Sequence, residues 1–219
     1  MPGGLIVFHV KHPTSEAFGV SRETTDRLVA YAELLLRWNR TINLISKNDE
    51  PVIWTRHIQD ALALIPHLPP TRDSAPEPDN AIDIGSGAGL PGLILAIATN
   101  RRFTLVESDQ RKAAFLREAA RATGANVVIH AARIEQLTIA STPLVTARAV
   151  APLIILLGWA VPVLAPGGIC LFPKGRTAKD ELTAAASQWH MRVETFASPT
   201  DPEGTILKIS EISRVGHRN

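Results

Sequence analysis

"IDIGSGAGLPG", residues Ile82–Gly92, governs how the rest of the chain is read. Starting at Gly87, "GAGLPG" spells G-x-G-x-x-G, the fingerprint of a dinucleotide-binding turn. Starting at Asp83, "DIGSGAG" is an acidic residue followed by G-x-G-x-G. Either register makes a strand-to-helix turn in which glycines let the backbone reverse sharply and approach a ligand. The two differ in where the strand stops. The first carries it through Ile84, Gly85 and Ser86, and Gly and Ser are poor strand material. The second ends the strand at "AIDI" and opens the loop at Gly85. Asp83 is then placed to organise the loop and to face a cationic group, directly or through water.

Upstream, "SRETTDRLVAYAELLLRWNR" reads as a helix capped by Ser21, with Leu28, Ala32 and Leu35 at helical spacing. After "INLIS", the stretch "KNDEPVIWTRHIQDALALI" predicts a second helix, started by Asp49 and Pro51. "PHLPPTRDSAPEPDN" holds five prolines in fifteen residues and marks a linker. We therefore expect a tail over 1–20, a helical extension with its linker over 21–79, and the ligand-binding domain over 80–219.

Downstream of the linker the pattern alternates. "NAIDI", "FTLVES", "NVVIH", "LVTARA" and "GICLFPK" predict strands. "LPGLILAIAT", "DQRKAAFLREAARATG", "LIILLGWAVPVL" and "AKDELTAAASQW" predict helices between and after them. Such alternation predicts a mostly parallel, Rossmann-like sheet with helices on both faces. "RVETFASP" and "TILKISEI", joined by "TDPEG", predict a closing antiparallel hairpin.

Composition adds bounds. The net charge of +2 is uneven: residues 1–80 carry 8 Lys+Arg against 10 Asp+Glu, and residues 81–219 carry 15 against 11. That excess permits a nucleic-acid partner without requiring one. The longest apolar run, "APLIILLGWAVPVLAPGG", is punctuated by Pro162, so no membrane span is expected. The first residues show no basic region ahead of a short apolar stretch, and Cys170 is the single cysteine. We expect a cytoplasmic protein with no signal peptide, no metal and a buried Cys170. We also expect a monomer.

Glu107 ends the second strand, about 20 residues beyond the loop, where a carboxylate can accept from ribose hydroxyls of either cofactor class. Two absences separate the classes. The one tyrosine, Tyr31, lies far upstream in sequence, so the Tyr/Lys pair of short-chain dehydrogenases is missing. No second domain follows to carry a hydride acceptor. The register from Asp83 matches the loop of S-adenosylmethionine (SAM) methyltransferases, and that reading is preferred. An NAD(P)-dependent oxidoreductase and a non-enzymatic RNA-binding module are the alternatives.

"INLIS", "RHIQDAL", "DIGSGAGLPG", "TLVES…RKAAFLRE", "ARIEQL", "TARAVAPL" and "PGG…FPKG" stand in the order of the RsmG (GidB) family, which the chain resembles over about residues 25–210. The resemblance implies a class I SAM-dependent methyltransferase fold with an N-terminal helical extension. It also implies methyl transfer to N7 of guanine 527 in 16S ribosomal RNA, as naked RNA or in the small subunit. Glu107 stands where many members have Asp, and "FPKG" where many have "LKG".

By the same resemblance Gly85 and Leu90 touch the cofactor, with Ile134 and Glu135 at its adenine; the loop register and strand end add Asp83, Ser86, Gly87, Gly89 and Glu107 to the expected cofactor residues. Arg148, at the carboxyl end of the fourth strand, serves the cofactor site and positioning; Lys174 is a second catalytic candidate. Arg56, His57, Arg111, Lys112, Lys174 and Arg176 are the candidate RNA contacts. Arg56 and Asp60, four residues apart, are expected to pair with each other. Trp38 and Trp54 are expected in packing. Where enzymes acting on exocyclic amines carry an Asn/Asp-Pro-Pro-aromatic motif, this chain has "ARAVAPL", which fits a ring-nitrogen acceptor.

Overall fold

The computed structural model describes residues 19–70 and 80–216. All of the expected tail but Gly19 and Val20, and most of the Pro-rich linker, lie outside the described residues. Strands β1 (Asn80–Ile84), β2 (Arg102–Val106), β3 (Val127–His130), β4 (Thr142–Ala147), β5 (Leu164–Lys174), β6 (Trp189–Ala197) and β7 (Thr205–Arg214) form one sheet in the order β3-β2-β1-β4-β5-β7-β6. β1 to β5 pair in parallel, and β7 runs antiparallel to both β5 and β6. The hairpin is therefore present, but its second strand joins the sheet and its first becomes the edge.

Helices α1 (Arg22–Asn39), α2 (Asp60–Leu62), α3 (Gly92–Thr99), α4 (Gln110–Thr123), α5 (Leu153–Ala160) and α6 (Ala178–Ala185) cover the two faces. Alternation along β1 sends Ala81 to the core shared with α1, α3 and α4, while Ile82 and Ile84 enter the core against α5. Ser21 caps α1, its Oγ accepting the Thr24 N–H at 3.1 Å. Leu28, Ala32 and Leu35 bury the expected stripe. α4 starts at Asp109, which accepts the Arg111 and Lys112 N–H groups, and stops at Gly124 with φ +61°. Cys170 is buried, Trp54 sits in the core, and Trp38 packs beside it, edge-on to Phe115. Among the described residues no helix is long and apolar enough to cross a membrane.

The second expected helix is present but irregular. Residues 47–67 form a 3₁₀ turn (Lys47–Val52), a six-residue π-helix (Trp54–Gln59), α2, and another 3₁₀ turn (Ile65–His67). Ser46 rather than Asp49 caps its start, since the Asp49 carboxylate turns to Arg56 and His57. Wide π turns are rare, and they occur mostly as bulges within α-helices, frequently at functional sites. Here His57, Ile58 and Ala61 are buried and Asp60 is nearly so.

Candidate active site

The strand order turns outward in both directions from β1 and β4, so their carboxyl ends bound the crevice where open α/β sheets bind ligands. The chain leaves β1 at Ile84 and turns at once. Gly85, Gly87 and Gly89 take φ values of +67°, +54° and +86°. Gly85 and Ser86 donate their N–H groups to the Val106 carbonyl at 2.9 and 3.0 Å, and Gly87 donates to Glu107 Oε2 at 2.8 Å. The loop thus begins at Gly85, as in the register read from Asp83. A Cβ on Gly87 would meet nothing closer than 3.9 Å, so that face of the loop is open to a ligand. Glu107 Oε1 accepts the Asp109 N–H at 2.8 Å. Each of its oxygens keeps acceptor capacity for a hydroxyl.

Asp83 lies beneath this loop with no exposed surface. Thr146 donates its hydroxyl to Oδ1 at 2.6 Å, and Gly92 lies so close that a Cβ there would stand 2.5 Å from Asp83 Cβ. Burial pushes the Asp83 carboxyl up to about 6, and the Thr146 hydrogen bond opposes that rise. Tyr31, wholly buried in α1, donates its hydroxyl to the Ala88 carbonyl at 2.7 Å. The tyrosine that is remote in sequence therefore supports the glycine loop in space.

Arg148 follows β4 directly. Its Nη1 lies 2.8 Å from Asp60 Oδ2, and its Nη2 meets Nδ1 of His57. An arginine only donates, so Nδ1 accepts and the proton sits on Nε2, which faces Asp49 at 3.4 Å. Ala149 takes φ +53°, a strained conformation for a residue with a Cβ, and Val150 fills the space a Cβ on Gly85 would need. The two loops of the crevice therefore touch. Beside them is a cavity of about 500 Å³, lined among others by Arg56, Asp60, Arg148, Lys174, Ser198 and Thr200.

Residues 24–201 match the family model described as rRNA small subunit methyltransferase G. The chain belongs to that family. The methyltransferase G of Granulibacter bethesdensis is 56% identical over 95% of this chain and 100% of its own length. That of Rhodospirillum centenum is 53% identical over 91% and 90%. Solved structures with the same fold include a ribosomal protein L11 methylase from Lactobacillus delbrueckii subsp. bulgaricus, with TM-score 0.54 and 15% identity over 71% of this chain and 78% of that one. Another is the N-methyltransferase NodS of Bradyrhizobium japonicum with S-adenosylhomocysteine, with TM-score 0.52 and 16% identity over 86% and 100%. These are class I SAM methyltransferases, and this chain has their sheet.

In this chain several residues are placed otherwise than the sequence predicts. Asp83 has no surface with which to touch a cofactor ammonium directly; it braces the loop from below. Arg56 does not pair with Asp60. It reaches Asp201 at 3.0 Å, and Asp60 is taken by Arg148. The Lys174 side chain is only 7% exposed, and its Nζ donates to the Ala151 carbonyl and Glu181. It anchors the loop after β4 rather than reaching for RNA. Burial works to raise the Glu181 carboxyl, but hydrogen bonds from Lys174, the Leu153 amide and Thr177 hold it below the usual carboxylate range. Ile134 buries its side chain in the core, and Glu135 beside it is exposed. Arg111, Lys112 and Arg176 are not among the residues lining the cavity. Tyr31, Asp60, Glu181, Ser198 and Thr200 carry roles the sequence reading did not assign.

Burial first, then the Arg148 charge, depress the His57 imidazole to about 4, against an ordinary 6.5. Between those values the unfolded chain holds a proton that the folded chain lacks. The stability this group contributes is complete above pH 6.5 and falls as the pH drops toward 4. Asp83 works in the opposite direction: its raised carboxyl makes the fold less stable as pH rises between 3.8 and about 6. Because both chains share Asp83, the stability of the wild type minus that of His57→Gln isolates the histidine. Chemical denaturation should show that difference shrinking by roughly 1–3 kcal/mol from pH 7 to pH 4, after allowance for partial solvation. A difference that grows in acid would show His57 to be charged in the fold.

Proposed function

We propose that this protein transfers the methyl group of SAM to N7 of guanine 527 in 16S ribosomal RNA, in the cytoplasm. The family match over residues 24–201 carries the reading. In this proposal residues 80–219 hold the cofactor, and the segment within 21–79 completes the acceptor side. SAM supplies a methyl already activated on a sulfonium, so the protein's task is alignment. The open face at Gly87 suits the cofactor's methionine end, the spare acceptor capacity of Glu107 suits ribose hydroxyls, and the turn at Ile134–Glu135 suits the adenine. Guanine N7 has an in-plane lone pair and no proton, so no general base is needed. A donor to N7 would block that pair, so Arg148 is assigned to O6 or a phosphate. Arg56, Arg111, Lys112 and Arg176 are assigned to the RNA backbone.

The deciding experiment is methyl transfer from labelled SAM to unmodified small subunits and to naked 16S RNA, with mapping of the modified base. Label at another base, or none, would overturn the assignment. Calorimetry should find SAM and S-adenosylhomocysteine binding and NADH not binding. Glu107→Ala should weaken SAM by about 1–3 kcal/mol, because it removes ribose acceptors and frees the Gly87 amide. Tight NADH binding without SAM binding would restore the dinucleotide register.

A further inference from the structure

We propose that Asp60 is a positioning residue of the acceptor cavity, one carboxylate joining Arg148 to the loop between β6 and β7. The inference rests on the proposed function for its catalytic consequence but not for its geometry. Asp60 Oδ2 lies 2.8 Å from Arg148 Nη1, while Oδ1 accepts from the Thr200 hydroxyl at 3.0 Å. Ser198 Oγ stands 3.4 Å from the same oxygen and 3.0 Å from Thr200 Oγ1. A hydroxyl has one proton, so the shorter distances define a relay: Ser198 donates to Thr200, and Thr200 donates to Asp60.

The rest of the loop is closed on itself. Ser198 Oγ accepts the N–H groups of Thr200 and Asp201, both at 3.2 Å, and Gly204 donates to the Asp201 carbonyl at 2.8 Å. Its ties to the N-terminal segment are the Asp60 relay and the Arg56–Asp201 pair at 3.0 Å. The π-helix supplies a second, independent observation. It holds His57 and leads directly into Asp60, the first residue of α2, so that the two meet the two amino groups of one guanidinium. With both ends of the fork held, Arg148 cannot swing, and it lines the cavity that Ser198 and Thr200 also line. One side chain thus sets both the cationic wall of the cavity and the loop beside it.

Asp60→Asn tests the joint without changing its size. An amide keeps an acceptor oxygen for Arg148 but loses the charge, and it turns an NH2 donor to Thr200, so the ion pair is lost and the relay must reverse. Methyl transfer at saturating SAM and RNA should fall about 10- to 100-fold, the scale for misplaced reacting groups, with SAM affinity within about twofold. In an Arg148→Ala background the same change should cost less than about twofold, because the two residues act as a unit. Amide hydrogen exchange over residues 198–204 should quicken about tenfold in Asp60→Ala, which offers Thr200 no polar group, and also in Thr200→Val, which cuts only the loop side. Exchange needs no turnover, so it decides the joint even if the wild type methylates nothing, an outcome that would sink the functional reading alone. Unchanged exchange in Thr200→Val, or effects of Asp60→Asn and Arg148→Ala that multiply, would overturn the proposal.

Discussion

Arg148→Ala should slow single-turnover methyl transfer by about a hundredfold, the scale for losing a group that positions reactants. The profile from about pH 6.5 to 8.5 should stay flat, because arginine does not titrate there and a ring nitrogen brings no proton to remove. His57, depressed to about 4, is neutral across that window and has its Nδ1 occupied by the guanidinium, so it is not a base of the ordinary kind. Alanine also strands the Asp60 carboxylate, whose side chain is only 14% exposed, so some stability is lost with the rate. Arg148→Lys separates the two losses. It keeps a positive charge opposite Asp60 but cannot reach Asp60 and His57 at once. It should recover most of the melting temperature and only part of the rate. A rate that climbs with an apparent pKa near 7, once RNA-binding effects are removed, would require an essential base and contradict the N7 assignment.

Gly85→Ala should cost the protein its cofactor affinity. The new Cβ would stand 2.3 Å from Val150 Cγ2, and φ of +67° is strained for alanine. Two effects therefore add: a clash between the loops after β1 and β4, and a left-handed backbone costing about 1–2 kcal/mol. The loop must shift, and SAM binding by calorimetry should weaken by at least about tenfold. Val150→Ala in the same chain removes the nearest contact but keeps a Cβ 2.8 Å from the new methyl, and it leaves the strain, so affinity should return only in part. Full affinity in Gly85→Ala alone would mean that the loop is free to move and that the cofactor does not depend on its shape.

Strand–helix alternation made the sheet legible, because a chain that must bury both faces of parallel strands writes apolar runs between amphipathic helices. The glycine register was legible for a local reason: Gly85 and Ser86 make a poor strand end. What lay beyond local pattern was long-range pairing. Arg56 and Asp60 have helical spacing, but the π turn rotates them apart, and Arg148, 88 residues away, takes the carboxylate. "TDPEG" announces a turn but not that Thr200 and Asp201 reach the N-terminal segment. Lys174 looks solvated at a strand end; its burial depends on Glu181, one turn into α6. The glycine loop is built from contiguous residues, and its shape could be read. The cavity beside it is assembled from separated stretches and could not.

The hydroxyl of Tyr31 bears on how this architecture can be cut or borrowed. The carbonyl it satisfies belongs to Ala88, in the middle of the glycine turn, and the ring packs in the same core as Leu93 and Phe115. A fragment beginning at β1 would lack that donor and would bare the apolar flank of α3 and α4. The nucleotide half is therefore not a portable module with a targeting helix attached. Grafting the helix onto another sheet, or the sheet onto another helix, would break the turn that both of them hold.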